Sequence, residues 1–128
     1  MKVLVTGGAG FIGSNLIRLI LEEWPESTIV NLDALTYAGT LTSLTEVLGH
    51  PRHRFVEGDI CDAELVAEQL RGVDLVLHLA AESHVDRSIV SDAPFVRTNV
   101  LGTATLLGSA LAAGAFNTLV RLKNGLRF

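Results

Sequence analysis

Residues 3–13 read VLVTGGAGFIG, and this stretch decides the fold class. A short apolar run ends at glycines, and residues 12–24 then carry apolar side chains at helical spacing, which predicts a strand, a tight turn and a helix. Gly7, Gly10 and Gly13 follow the spacing G-x-x-G-x-x-G. Glycines in such a turn let the backbone approach a pyrophosphate, and unpaired N–H groups at the helix start receive the anion. The stretch therefore predicts a phosphate-binding loop at the end of the first strand.

The same strand-and-helix unit recurs along the chain. Residues 29–33 and 54–57 are predicted to be the second and third strands, Asp62 caps the helix that follows, and residues 73–79 are the most continuous apolar strand. A long helix begins after Asp92 and is predicted to stop at Gly114. Parallel strands need connections of helix length. The alternation therefore predicts an α/β fold, a Rossmann-like doubly wound parallel sheet of about four to five strands.

Composition and charge exclude several classes of protein. The chain has 128 residues, 48% of them hydrophobic and 19% charged, which suits one domain with one core. Mean hydropathy is +0.41, yet no apolar run approaches the about 20 residues of a membrane span. A single cysteine, Cys61, permits no internal disulfide, so we expect a reducing, cytoplasmic setting. All 14 acids lie at or before Asp92, and the four cations after it are too scattered to favour nucleic acid as a partner.

Acidic residues follow the second and third strands. Asp33 stands about 20 residues after the glycine loop, where a carboxylate can accept hydrogen bonds from adenosine ribose hydroxyls and would repel a 2′-phosphate. This favours NAD over NADP as the cofactor. The alternative is a strand-end Asp that only caps a turn. Residues 58–60, Gly-Asp-Ile, lie where an adenine edge would sit, although an ordinary Asx turn explains them nearly as well.

A polar loop over residues 80–91 follows the fourth strand, where doubly wound sheets place their ligands. No serine or cysteine stands in a nucleophile-elbow context, so hydrolase chemistry is not indicated. The strand itself contains His78, which has no metal-ligand partners at a recognisable spacing. We predict that His78 is a hydrogen-bonded buried histidine, and we predict no metal site.

Five segments together carry a resemblance to a known family. They are TGGAGFIGSNLI, NLDALTYAGTLTSL, FVEGDICD, LHLAAESHVDRSI and FVRTNVLGT. They resemble the extended short-chain dehydrogenase/reductase superfamily and, more narrowly, the N-terminal part of the dTDP-glucose 4,6-dehydratase family, from Met1 to about Gly114. The resemblance implies an NAD-dependent lyase that oxidises a sugar nucleotide, dTDP-glucose, at C4, eliminates water across C5 and C6, and returns the hydride to C6. Nucleotide-sugar epimerases and GDP-mannose-type dehydratases are the nearest alternatives, and the DALTYAG segment argues against both.

The resemblance also implies roles for individual residues. It implies that the pyrophosphate is held by Gly7, Gly10, Phe11, Ile12 and Gly13, and that the adenosine ribose is surrounded by Asp33, Leu35, Thr36 and Gly39. It implies that Asp59 and Ile60 meet the adenine, and that Leu79, Ala80, Ala81 and Thr98 lie near the nicotinamide half. Contacts to the sugar nucleotide are implied for Ser83, His84 and Asn99. Thr40 departs from the family, which usually has asparagine there.

The end of the chain departs from the family. Its chemistry needs a base in a Tyr-x-x-x-Lys pair, because a nearby ammonium lowers the phenol pKa toward the working pH. The chain's single tyrosine, Tyr37, has Leu41 four residues on, so we predict no catalytic residue and expect the chain alone to be inactive. We expect residues 1–114 to form the NAD-binding domain and residues 115–128 to be an atypical tail, with the substrate domain absent. We predict that this tail arose by a frameshift or an early stop; the alternative is that it is a native fifth strand or short helix of a shortened protein.

The last predicted helix also bears on assembly. Val96, Val100, Leu107 and Leu111 give it an apolar side, and an open sheet would leave an unpaired edge. In the resembling enzymes this helix helps form the dimer. We therefore expect a homo-oligomer.

Overall fold

Strands and helices alternate along the chain as the sequence predicts. The structure is a computed structural model that describes residues 1–36, 39–81, 93–114, 119–123 and 126–127. The strands are β1 (Lys2–Thr6), β2 (Thr28–Asp33), β3 (His53–Glu57), β4 (Leu75–His78), β5 (Leu119–Lys123) and β6 (Leu126–Arg127). The helices are α1 (Phe11–Glu23), α2 (Ala63–Gln69), α3 (Ala93–Val96) and α4 (Thr103–Ala112), with a 3₁₀ turn at Leu41–Leu44 and a π-helical segment at Arg97–Gly102.

The strands form one sheet in the order β3-β2-β1-β4-β5-β6. β1 is parallel to β2 and to β4, with Val3 opposite Ile29 on one side and Leu75 on the other. β3 and β5 extend the sheet in parallel, and the short β6 is antiparallel to β5. β2 and β3 lie on one side of β1, and β4 and β5 lie on the other, so the strand order reverses between β1 and β4. The predicted α/β, Rossmann-like parallel sheet is confirmed.

Part of the tail joins this sheet. Residues 119–123 pair with β4, with Val76 opposite Leu119, and so occupy the position of a fifth strand. A fifth strand was one of the two alternatives for residues 115–128. The origin of the tail in a frameshift or an early stop stays a prediction.

Both faces of the sheet are buried. Val3 and Val5 point to one face, where Ile17 and Ile20 of α1 pack on them. Leu4 points to the other face, into a cluster with residues of α2 and α4, since successive strand side chains alternate between faces. Burial on both faces explains why the strands read as nearly continuous apolar runs. No helix in the described part of the chain is long and apolar enough to cross a membrane.

The last helix is interrupted, which corrects the prediction of one regular helix. The π-helical segment at Arg97–Gly102 separates α3 from α4. A π turn holds one residue more than an α turn and so rotates the following face by roughly 100°. As a consequence, Leu106 and Ala110 form the buried face of α4, whereas Leu107, a member of the predicted apolar side, is exposed. The predicted stop is confirmed, because Gly114 has φ +73° and donates its N–H to the Leu111 carbonyl; the proposed cap Asp92 lies outside the described residues.

Candidate functional site

A cleft opens at the carboxyl edge of the sheet, where the strand order reverses. Its cavity of about 270 Å³ is bordered by the ends of β1, β2, β3 and β4 and by the start of the π-helical segment. Open α/β sheets bind ligands at this crevice because the loops after neighbouring strands diverge there. The lining includes eleven of the residues to which the resemblance gives a role, namely Gly7, Gly10, Asp33, Thr36, Gly39, Asp59, Ile60, Leu79, Ala80, Ala81 and Thr98.

The glycine turn forms the floor of the cleft. Gly7 has φ +74°, and a Cβ built on it would lie 2.5 Å from the Ala80 nitrogen, so neither the backbone angle nor the space suits another residue. A Cβ on Gly13 would lie 2.2 Å from the Gly7 carbonyl oxygen. The glycines therefore let α1 press against the turn that precedes it.

The first turn of α1 is open to an anion. Gly10 is its N-cap and has no side-chain cap, and the first turn contains no acidic residue. The leading N–H groups of a helix have no partner within the helix, and the helix dipole favours negative charge there. This arrangement can bind a phosphate through the backbone without a cationic side chain.

Asp33 joins the two loops on the β2 side of the cleft. Its side chain is 9% exposed; Oδ2 accepts a hydrogen bond from the Ala9 N–H and Oδ1 one from the Leu35 N–H, both at 2.8 Å. Leu35 has φ +52°, in the left-handed region that favours glycine. A Cβ on Gly39 would lie 3.0 Å from Asp33 Oδ1. The carboxylate therefore caps a turn, which was the alternative to a ribose-binding role, and it also lines the cleft.

Asp59 forms an ion pair that no pattern in the sequence predicts. Its Oδ2 pairs with the Arg97 guanidinium, and Oδ1 accepts a hydrogen bond from the Cys61 N–H at 2.8 Å. Burial raises the pKa of Asp59, but the hydrogen bonds from Cys61 and Arg97 outweigh it and hold the pKa below its usual value. Burial, followed by the neighbouring Asp59, raises the pKa of the Cys61 thiol. The carboxylate is therefore charged at neutral pH and the thiol is protonated.

The β4 side of the cleft is held by hydroxyl and imidazole groups. The Leu79 N–H donates to the Thr6 carbonyl at 3.0 Å, and the Ala80 N–H donates to Thr6 Oγ1 at 3.3 Å. His78 is 1% exposed, and its Nδ1 and Nε2 lie 2.6 and 3.0 Å from the hydroxyls of Thr6 and Thr103. The prediction of a buried, hydrogen-bonded histidine is confirmed.

Several predicted site residues lie apart from the cavity lining. Phe11 and Ile12 are exposed on the first turn of α1, Leu35 packs on the core beside Asp33, and Gly13 and Asn99 are buried. Ser83 and His84 lie outside the described residues. The roles given to all of these stay predictions. Among the residues that the structure describes, no group of three or more His, Cys, Asp or Glu side chains is placed to hold a metal ion.

Four lining residues were not predicted: Leu32, Ala34, Pro94 and Arg97. The lining also contains Gly58, which was expected with Asp59 and Ile60 at the adenine edge. Leu32 and Ala34 adjoin Asp33 at the end of β2, so their position along that strand was the available signal. For Pro94 and Arg97 the sequence offers a weaker indication. They stand near the start of the last predicted helix, and helices that follow parallel strands begin beside the carboxyl edge of the sheet. The pairing of Arg97 with Asp59 depends on the π-helical segment, which no residue spacing indicates.

Comparison with known proteins identifies the family. A family model described as GDP-mannose 4,6 dehydratase matches residues 4–124, which extends the likeness beyond Gly114. The low-salt glycan biosynthesis protein Agl12 of Haloferax volcanii is 59% identical over 113 residues, which cover 88% of this chain and 36% of that protein. A dTDP-glucose 4,6-dehydratase of Streptomyces griseus is 54% identical over 114 residues, which cover 88% of this chain and 34% of that protein. The chain thus spans about a third of the length of these curated relatives.

Solved structures agree in fold and sequence. The dTDP-glucose 4,6-dehydratase DesIV of Streptomyces venezuelae, with NAD and TYD bound, has a TM-score of 0.85 and 54% identity over 89% of this chain and 37% of that chain. The dTDP-glucose 4,6-dehydratase of Bacillus anthracis, in complex with NAD, has a TM-score of 0.83 and 37% identity over 100% of this chain and 42% of that chain. The predicted resemblance to the N-terminal part of such dehydratases is confirmed, and the chain belongs to the GDP-mannose 4,6 dehydratase family.

Proposed function

We propose that the chain binds NAD in the cleft, as the nucleotide-binding part of a sugar-nucleotide 4,6-dehydratase. One observation carries the proposal: the uncapped start of α1 and the buried Asp33 carboxylate border the same cavity. A helix start that lacks negative charge suits a pyrophosphate, and a carboxylate beside it suits ribose hydroxyls. The two similar dehydratases described with NAD bound support this choice of dinucleotide.

The phosphate loop would hold the pyrophosphate through its backbone. The N–H groups of Phe11, Ile12 and Gly13 lie in the first turn of α1 and precede the first bond of that turn, which Ser14 donates to Gly10 at 2.9 Å. Exposure of the Phe11 and Ile12 side chains leaves them available to cover a ligand. Gly7 fits this role because any Cβ there would strike the backbone of Ala80.

Asp33 would bind the adenosine ribose while it holds the surrounding loops. Each carboxylate oxygen accepts one backbone N–H and keeps a further lone pair for a ribose hydroxyl. Leu35, Thr36 and Gly39 would surround the ribose, since Gly39 brings its backbone close to the carboxylate. A 2′-phosphate would bring two negative charges close to Asp33, so we propose NAD and not NADP.

The other lining residues would bind the two ends of the dinucleotide. Asp59 and Ile60, at the end of β3, would meet the adenine. The segment Leu79–Ala81 and Thr98 would border the nicotinamide half, because they lie on the opposite, β4 side of the glycine turn. NAD, when bound, would supply the hydride acceptor of the reaction.

The substrate and the reaction are proposed from the family. We propose dTDP-glucose as the sugar nucleotide, contacted by Ser83, His84 and Asn99, with oxidation at C4, elimination of water across C5 and C6, and return of the hydride to C6. This sequence contains no Tyr-x-x-x-Lys pair, and a missing general base typically costs about 10²- to 10⁴-fold in rate. We therefore expect no turnover by this chain alone. A second candidate function is a non-catalytic NAD-binding module, which the same cleft would serve.

Assembly and setting complete the proposal. Val96, Val100, Leu107 and Leu111 are exposed on the last helical segments, which supports a homo-oligomer in which this apolar side is covered. The thiol of Cys61 is protonated and forms no disulfide, which supports a reducing, cytoplasmic setting. No nucleic acid, membrane or metal partner is proposed.

Isothermal titration with NAD tests the binding proposal, with two glycine variants as a matched pair. Gly39→Ala places a Cβ 3.0 Å from Asp33 Oδ1 and 3.3 Å from Ala9 Cβ, whereas Gly49→Ala meets nothing within 4 Å. We expect the unsubstituted chain and Gly49→Ala to bind NAD equally, and Gly39→Ala to bind it at least about tenfold more weakly because the ribose pocket is narrowed. Circular dichroism checks that both variants fold. Equal binding by both variants, or no binding by the unsubstituted chain, would refute the assigned cleft.

A further inference from the structure

A buried imidazole connects the sheet edge to the last helix. His78 ends β4, and its ring reaches Thr6 Oγ1 through Nδ1 at 2.6 Å and Thr103 Oγ1 through Nε2 at 3.0 Å. Thr6 is the last residue of β1, directly before the glycine turn, and Thr103 is the first residue of α4, directly after the π-helical segment. His78 does not line the cleft. Its two partners directly adjoin the glycine turn and the π-helical segment, which both contribute lining residues.

Thr6 connects His78 to Ala80, whose backbone lines the cleft. Its hydroxyl also accepts a hydrogen bond from the Ala80 N–H at 3.3 Å. Thr6 is fully buried, so its single hydroxyl hydrogen needs an acceptor inside the protein. Donation to His78 Nδ1 satisfies that need and places the ring proton on Nε2, from which it is donated to Thr103. The chain of hydrogen bonds therefore runs from Ala80 through Thr6 and His78 to Thr103.

Thr103 in turn anchors the π-helical segment. A Cβ on Gly102 would lie 2.6 Å from Ile60 Cδ1, so the segment packs closely on the end of β3, and Arg97 pairs with Asp59 at its other end. Short π-helical stretches lack the regular i to i+4 bonding and occur frequently at functional sites. The bond from His78 thus helps fix how Thr98 and its neighbours face the cleft.

We infer that His78 is a positioning residue that preforms the β4 half of the cleft, the half that takes the nicotinamide side of the dinucleotide. This inference rests on the proposed binding of NAD. A site whose backbone is already in place loses less entropy on binding than one that must be ordered by its ligand. The adenosine half also contacts the π-helical segment, at Asp59 and Ile60. It has anchors of its own as well, because Asp33 is held by the N–H groups of Ala9 and Leu35 and Asp59 by the N–H of Cys61. Weakening the His78 network should therefore affect the two halves of the cleft unequally.

The test uses Thr103, since substitution of His78 itself could leave buried groups unpaired and prevent folding. Thr103→Val removes the hydroxyl and keeps the shape, and Thr103→Ser restores the hydroxyl. Thr105→Val is the matched control, because Thr105 lies on the same helix and its hydroxyl donates to the Leu101 carbonyl at 2.9 Å, away from His78. Each chain is titrated calorimetrically with NAD and with AMP, which probes the adenosine half alone.

We expect Thr103→Val to raise the Kd for NAD by about 5- to 30-fold and to leave the Kd for AMP within about twofold. Thr103→Ser and Thr105→Val should bind both ligands as the unsubstituted chain does. Equal loss of NAD and AMP affinity in Thr103→Val, or the same NAD affinity in Thr103→Val as in Thr105→Val, would overturn the inference while the proposed function stands. Failure of the unsubstituted chain to bind NAD would overturn both.

Discussion

Replacement of Asp33 by Asn separates the two roles that the structure gives this carboxylate. Its two oxygens each accept a backbone N–H at 2.8 Å, from Ala9 and from Leu35. An Asn side chain offers one acceptor oxygen, so its amide NH₂ must face one of those two N–H donors. Hydrogen bonds to charged groups contribute about 1.5–3 kcal/mol each. We expect the free energy of unfolding of Asp33→Asn to fall by about that amount, measured by urea denaturation.

The same substitution changes cofactor preference. Loss of a charged acceptor for the ribose hydroxyls should raise the Kd for NAD about tenfold. Loss of the negative charge should at the same time relieve repulsion of a 2′-phosphate, because like charges a few ångströms apart in a partly buried site repel by up to about 4 kcal/mol. The ratio of the Kd for NADP to the Kd for NAD should therefore fall at least about tenfold, as measured by titration.

Asp62→Asn is the matched control. Asp62 is the N-cap of α2, where its carboxylate accepts the Leu65 N–H at 3.1 Å, and it lies outside the cleft lining. Asn caps a helix as well as Asp does, so this variant makes the same change in net charge with little change in stability. If Asp33→Asn and Asp62→Asn gave the same cofactor ratio, Asp33 would be a turn cap alone, and our argument for NAD over NADP would be wrong.

Two further predictions concern the ion pair and assembly. The lowered pKa of Asp59 stabilises the fold above the ordinary carboxyl pKa of about 3.9, and that contribution is lost as pH falls below it. Arg97→Gln should therefore make the decline of the melting temperature below about pH 4 shallower, and an unchanged decline would contradict the pairing. Val100 is 63% exposed, so Val100→Glu should shift the chain toward monomer in analytical ultracentrifugation while Leu19→Glu, on the opposite side of the sheet, should not. A monomeric unsubstituted chain at high micromolar concentration would refute the oligomer.

Local patterns made much of the fold predictable. The glycine turn, the cap at Asp62 and the stop at Gly114 each depend on residues within one turn of each other, and the structure contains all three. The alternation of strands and helices then restricts the topology, because parallel neighbours need long right-handed crossovers. Asp33 was found from its distance to the glycine turn, a spacing that one βαβ unit determines.

Features that depend on the meeting of distant segments were not predictable. The ion pair between Asp59 and Arg97 joins the end of β3 to the π-helical segment, and its formation depends on how that segment is rotated. A π turn arises from backbone bonding and tertiary packing and has no residue signature of its own. Leu35 at φ +52° is a similar case, because a residue type that avoids this angle is held there by the hydrogen bond to Asp33.

The bonding of Asp33 also shows why a structural explanation and a functional one need not compete at this position. A carboxylate that accepts two backbone N–H groups has a fixed orientation, and a fixed acceptor loses little conformational entropy when a ribose binds it. The hydrogen bonds to Ala9 and Leu35 that make Asp33 a turn cap are therefore what would make it a good ribose ligand. We infer a similar role for His78 on the β4 side of the cleft. Its hydrogen bonds to Thr6 and Thr103 would hold the neighbouring backbone that lines the cleft. Because each half has its own buried anchor, substitutions on one side should leave ligand binding on the other side largely intact.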